Sequence, residues 1–199
     1  SPVFQAYYDS QSEGMQATLK SLDANLALAK SLDALQKEKK NIYKIKSNFL
    51  SFVKHMWPDF IKGYHHKIIA EKFNKMANGE IKRLIVNMPP RHTKSEFASS
   101  LLPAWMIGNN PKLKIIQTTH TGELAIRFGR KAKTLIDSQE YQEIFQTRLR
   151  EDSQAAGKWE TAQGGEYFAS GVILGCSWAS LGALLGSLGG DLGHVGGFL

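Results

Sequence analysis

The 199-residue chain carries 25 Lys and Arg against 18 Asp and Glu, a net charge of +7, and a single cysteine, Cys176. That length allows one sizeable core and at most a small accessory piece. One cysteine excludes an internal disulfide and a cysteine-based zinc site. With no basic leader followed by an apolar stretch, no secretory signal is expected. A start at Ser1 rather than Met is what a fragment or a processed chain would give.

The positive charge is concentrated. Residues 37–94 hold 14 Lys and Arg against Glu38, Asp59, Glu71 and Glu80, a balance of +10 that exceeds the whole-chain value. Two readings stand: a surface for an anionic partner, DNA first, or a solubilising face.

In chain order, residues 1–14 read as irregular, with Ser10-Gln11-Ser12-Glu13 as a capping box. From Met15 the apolar residues Leu19, Leu22, Leu26, Ala29, Leu32 and Leu35 follow steps of three and four, one helical face that predicts a core or packing seam. Lys37-Glu38-Lys39-Lys40 reads as the solvated end of that helix. A second helix is expected over 42–57, stopped by Pro58, and a third from Tyr64 to its closure at Asn78-Gly79. His65-His66 adjoin, and neighbours on a helix diverge by about 100°, so a structural or nucleotide-facing role is favoured over a shared metal.

The run Leu84-Ile85-Val86-Asn87-Met88 predicts a buried strand, and Glu96 onward a helix that Pro103 should kink or end. Between them lies Pro89-Pro90-Arg91-His92-Thr93-Lys94-Ser95. Strand, tight loop, Lys-Ser and helix form the context of a phosphate-binding loop, whose backbone N–H groups and helix dipole favour anions. In that reading Lys94 reaches the β- and γ-phosphates and the Ser95 hydroxyl meets Mg²⁺. The usual G-x-x-x-x-G-K-[ST] pattern has Met88 and Thr93 at its glycine positions here. An ordinary strand-to-helix turn is the alternative.

A second strand is expected over 113–118, parallel to the first because a helical crossover joins them. Its carboxyl end, Thr118-Thr119-His120-Thr121, is where open α/β sheets place ligands. The helix over 122–137 should turn Leu124, Phe128, Leu135 and Ile136 inward. Arg127, Arg130, Lys131 and Lys133 would then form a basic outer surface, read as DNA-contacting or merely solvated. A further helical turn covers 139–145, and residues 158–169 read as a hairpin around Gly164-Gly165. From Gly171 to the end there are nine glycines, one acid (Asp191) and no Lys or Arg. Residues 171–190 lack any charge and show small-xxx-small spacing, but weak hydropathy and missing flanking cations argue against a membrane span. Residues 173–199 are expected to lie outside the packed core.

Residues 49–172 resemble the ATPase domain of the phage terminase large subunit. The resemblance rests on ordered pieces: Tyr64-His65-His66-Lys67-Ile68-Ile69, Gly79 through Asn87, and Pro89-Pro90-Arg91-His92-Thr93-Lys94-Ser95-Glu96. Glu123-Leu124-Ala125 with Phe128-Gly129-Arg130-Lys131, and Trp159-Glu160-Thr161 with Gly164-Gly165, complete it. It implies an α/β fold of the P-loop NTPase type, with a partly parallel sheet and flanking helices, incomplete at its C-terminal end and preceded by a helical extension over 1–48. It implies ATP and Mg²⁺ as cofactors, with Pro90, Arg91, His92, Thr93, Lys94, Ser95 and His66 around the nucleotide. Lys94 and Arg91 would be catalytic, Arg91 as a cis arginine finger, and Ser95 the Mg²⁺ ligand. The partners implied are double-stranded DNA, a portal protein, a small terminase subunit and further copies in a ring, in the cytoplasm of an infected bacterium. The family's two acids after the hairpin, one for Mg²⁺ and one to activate water, have no counterpart past residue 172. A frameshift, a gene-model error and a truncation are the alternatives. Three functions stay open: an ATP-driven packaging motor, a truncated module that binds nucleotide or DNA without turnover, and a related helicase-like ATPase.

Overall fold

The computed structural model describes residues 2–152 and 155–171. The tail expected over 173–199, with its expected lack of order and Asp191, lies outside the described residues, as does the candidate span at 171–190 beyond Gly171, which belongs to the sheet. Two units are distinguished, residues 1–43 and 44–199.

The first unit consists of most of helix α1 (Pro2–Ser47). Four expectations change here. The residues read as irregular are helical from Pro2, Ser10 through Glu13 lie inside the helix rather than capping it, and the Lys37–Lys40 stretch continues it. Lys and Glu are good helix formers, so a charged run extends a helix unless Pro or Gly interrupts it. The apolar stripe is exposed rather than buried: Leu19 at 58 % and Leu26 at 54 %.

The second unit is mixed α/β. α1 ends at Asn48, whose extended backbone and side-chain oxygen accept the Ser51 N–H and start α2 (Phe49–Met56). α3 (Tyr64–Ala77) closes at Asn78 with Gly79 at φ 78°, a left-handed stop that glycine adopts freely. Phe49 is fully buried and meets Phe73, Phe97 and Trp105 edge-on at 5.3–5.6 Å between ring centres. Trp105 Nε1 donates to the Ile45 carbonyl at 3.2 Å. These rings join α2, α3 and the next helix into one aromatic core.

That next helix begins at Lys94, winds as a π-helix over Glu96–Leu101, and continues as α4 (Leu102–Asn109). Pro103 does not end it. The wide winding stops just before the proline, so the change of pitch falls where the missing N–H removes a bond anyway.

Strand β1 (Lys114–Thr119) pairs in parallel with β3 (Glu166–Gly171), which pairs antiparallel with β2 (Lys158–Glu160), in the order β1-β3-β2. The second strand and the hairpin stand as expected. The strand expected over 84–88 does not: it joins no ladder, and Ile85 is 85 % exposed. The parallel partner of β1 is β3. α5 (Gly122–Asp137) covers this sheet with Ala125, Gly129, Ala132 and Ile136, while Leu124, Phe128 and Leu135 are only half-buried. Small residues win the inner face because the approach is close. A Cβ on Gly129 would lie 2.5 Å from the Ala156 carbonyl, and Trp159 Nε1 donates to the Gly129 carbonyl. α6 (Gln139–Ile144) follows, with Tyr141 OH donating to the Ala104 carbonyl at 2.8 Å. No helix among the described residues is long and apolar enough to cross a membrane.

Candidate functional site

The segment 89–95 connects the unpaired run at 84–88 to the helix that begins at Lys94. Two of its residues adopt the left-handed backbone region, Arg91 at φ 64° and Thr93 at φ 61°, and they are the only non-glycines to do so among the described residues. For an L-residue that conformation costs about 1–2 kcal/mol, and a β-branched side chain makes it rarer still. Thr93 stands where the phosphate-loop pattern has its second glycine, so the backbone keeps a glycine-like turn with a threonine in it.

A side-chain chain holds that turn. The Gly63 N–H donates to His66 Nδ1 at 2.8 Å. Nδ1 is therefore the acceptor nitrogen, and a neutral ring carries its proton on Nε2. His66 Nε2 lies 2.8 Å from Thr93 Oγ1 and donates to it, and Thr93 Oγ1 donates onward to the His92 carbonyl at 2.6 Å. His92 Nδ1 donates to the Pro90 carbonyl at 2.9 Å. The His66 ring is buried between Phe60 (4.7 Å) and Phe97 (5.1 Å). Burial, then the neighbouring His65 and His92, hold its pKa below the ordinary histidine value, which favours the neutral ring that this network needs. His65 adjoins this network, its Nε2 lying 3.0 Å from His66 Nε2. No group of three or more His, Cys, Asp or Glu among the described residues is placed to hold a metal.

Beyond the turn, the Phe97 N–H makes the bond that closes the first turn, to the Thr93 carbonyl at 3.0 Å. Ser95 makes no side-chain capping bond. The N–H groups of the first turn precede any intrahelical partner and form the positive end of the helix dipole. Lys94 is half-buried and forms no ion pair with a described residue, while Pro90, Arg91, His92 and Ser95 are exposed. An exposed hydroxyl such as that of Ser95 suits Mg²⁺, which keeps several waters and shares substrate phosphates rather than demanding an all-protein cage.

Glu96, the first acid after the turn in the chain, is engaged elsewhere. Lys131 Nζ contacts both of its carboxylate oxygens, one at 2.9 Å, and Ser100 Oγ adds a weaker donation. Of the four cations proposed for DNA, Lys131 is thus committed to this pair. Arg127 and Arg130 are exposed, and Lys133 is half-buried near Asp137, whose carboxyl burial pushes up against the opposing pull of Lys133. Beside the Glu96–Lys131 pair lies a cavity of about 400 Å³ walled by Met56, Trp57, Leu101, Arg130 and Leu135. Sequence reasoning missed both the ion pair and the cavity, because their residues lie dozens of positions apart and follow no common spacing. The chain matches no protein-family model, no curated protein and no solved structure.

Proposed function

We propose that residues 49–172 are the nucleotide-binding part of a motor of the terminase large-subunit type, which couples ATP hydrolysis to the movement of double-stranded DNA into procapsids. The observation that carries this reading is the glycine-like turn at Arg91 and Thr93 delivering Lys94 and Ser95 to a helix start at which Ser95 makes no side-chain capping bond. In it the first-turn N–H groups and Lys94 hold the phosphates of ATP, and Ser95 contributes a hydroxyl to Mg²⁺. Bound ATP with Mg²⁺ supplies the phosphoryl group and the charge neutralisation. Arg91, exposed within the same turn, is the cation free to approach developing charge on that group. The P-loop NTPase fold belongs to this proposal, as do the portal, small-subunit and ring partners and a host-cytoplasmic location. Calorimetry with ATP and Mg²⁺ tests it: the chain should bind, and Lys94→Ala should not.

DNA is the second ligand of this proposal. Arg127 and Arg130 on α5 are its exposed contacts. Binding should weaken steeply with salt through counterion release, and Arg127→Ala with Arg130→Ala should flatten the slope by about 2. Affinity that does not respond to salt would count against it.

A second reading is favoured by one observation. Glu96, the first acid after the loop in the chain, is paired with Lys131 and so poorly suited to activate water. On that reading the chain binds nucleotide without turnover, and steady-state hydrolysis stays at background while calorimetry still reports binding.

A further inference from the structure

We propose that His66 is the positioning residue of the loop: its Nε2–H bond to Thr93 is a latch that holds a threonine in the backbone conformation reserved for glycine. Three observations carry it. Thr93 has a left-handed backbone, at φ 61°, and a branched side chain opposes that conformation. The hydroxyl on that branched side chain is what the latch grips, by accepting from His66 Nε2 at 2.8 Å and donating to the His92 carbonyl at 2.6 Å. His66 can hold it because its own ring is closely surrounded. The Gly63 N–H occupies Nδ1, the Phe60, Phe97 and His65 rings lie 4.7, 5.1 and 3.8 Å away, and its backbone is part of α3. His65 Nε2 also lies 3.0 Å from His66 Nε2, beside the 2.8 Å contact to Thr93. Phe97 also lies in the helix that the loop enters, so the latch ties α3, the loop and that helix together.

A glycine in place of Thr93 would need no such support. The chain therefore combines a locally disfavoured residue with a distant side chain, 27 positions earlier, that makes it tolerable. That the latched turn presents N–H groups to phosphate rests on the nucleotide reading above, whereas the latch itself does not.

The test separates the two. Arg91 is exposed and lies in the turn, so tryptic cleavage after it, identified by mass spectrometry, reports how firmly the turn is held without any nucleotide. His66→Ala in the full chain should raise that cleavage rate about tenfold. His66→Gln, which retains an N–H donor, should recover part of the protection. In a Thr93→Gly background, His66→Ala should change the rate less than twofold, because the strained partner is gone. The His66 ring should show Nε2 protonated in nitrogen-detected spectra of the wild type at neutral pH. The proposal is overturned if His66→Ala leaves cleavage unchanged. It is equally overturned if the effect is as large with glycine at 93, which would mean that His66 serves only to start α3. Loss of the fold would instead appear as general cleavage at sites across residues 44–171 and as loss of the thermal transition. In that case the comparison of Thr93→Val, which removes the hydroxyl and keeps the shape, with Thr93→Ser, which keeps it, decides. Valine should raise cleavage after Arg91 several-fold and serine should not, and equal rates overturn the latch. If no variant binds ATP, the protease arms still stand, and only the nucleotide reading fails.

Discussion

Two apolar runs of similar composition each lead into a helix, and they end differently. Residues 114–119 form β1, pair along their whole length with β3, and enter α5 through a turn with a side-chain cap: Thr121 Oγ1 accepts from Leu124 N. Residues 84–88 join no ladder, and the turn after them contains two left-handed residues, a latch from α3 and a helix start without a side-chain cap. A turn that only connects elements closes its own hydrogen bonds. On the nucleotide proposal, a turn that receives an anion keeps donors available, and the proposed His66 latch holds its conformation from outside. The contrast then sets a run that is paired in the sheet against one proposed to bind.

The largest expected effect comes from breaking the paired region. A Cβ at Gly165 would lie 2.3 Å from the Pro111 carbonyl and 2.8 Å from that of Leu113, backbone atoms that cannot step aside. Gly165→Ala should therefore destabilise the fold by roughly 3 kcal/mol in chemical denaturation. Ile85→Ser, in the unpaired run, should cost less than about 0.5 kcal/mol. Equal costs would remove the distinction between the two runs.

The caps sharpen it further. Thr121→Ala removes the acceptor for the Leu124 N–H and should cost about 1 kcal/mol. Ser95→Ala removes no capping bond and should leave stability within about 0.5 kcal/mol, while weakening Mg²⁺-dependent nucleotide binding. A stability loss at Ser95 matching that at Thr121 would show its hydroxyl to serve the helix rather than a ligand.

A smaller effect should follow pH. Burial, with His65 and His92, lowers the His66 pKa below its ordinary 6.5, so below that pH the unfolded chain binds more protons than the folded one. The contribution of His66 is thus fully present above about pH 6.5 and is lost as pH falls through the folded pKa. Thermal stability of the wild type should decline between pH 7 and 5 more than that of His66→Gln. Parallel declines would remove His66 from the account.

Much of the second unit is legible in the sequence because it rests on local signals. Pro58, Asn78-Gly79 and Gly164-Gly165 mark ends and turns where the structure has them, and Ile115-Ile116 marks β1. What could not be read depends on partners. Leu84-Ile85-Val86 has the composition of a strand, but pairing is a property of two segments, and the partner of β1 turned out to be β3, some 50 residues later. The stripe from Leu19 to Leu35 has helical spacing, which specifies a face but not its burial. At the site, Lys94-Ser95 announces itself by motif. The bond from His66 to Thr93 and the engagement of Glu96 by Lys131 join residues 27 and 35 apart and leave no trace in spacing.

The central claim is that the turn at 89–95 is built for phosphate. Calorimetric titration of the full chain with ATP and Mg²⁺, beside Lys94→Ala and Thr121→Ala, tests it most directly. The account predicts binding by the wild type and by Thr121→Ala, and an affinity at least tenfold weaker, about 1.4 kcal/mol, for Lys94→Ala. Undiminished binding by Lys94→Ala, or none by the wild type, would contradict it.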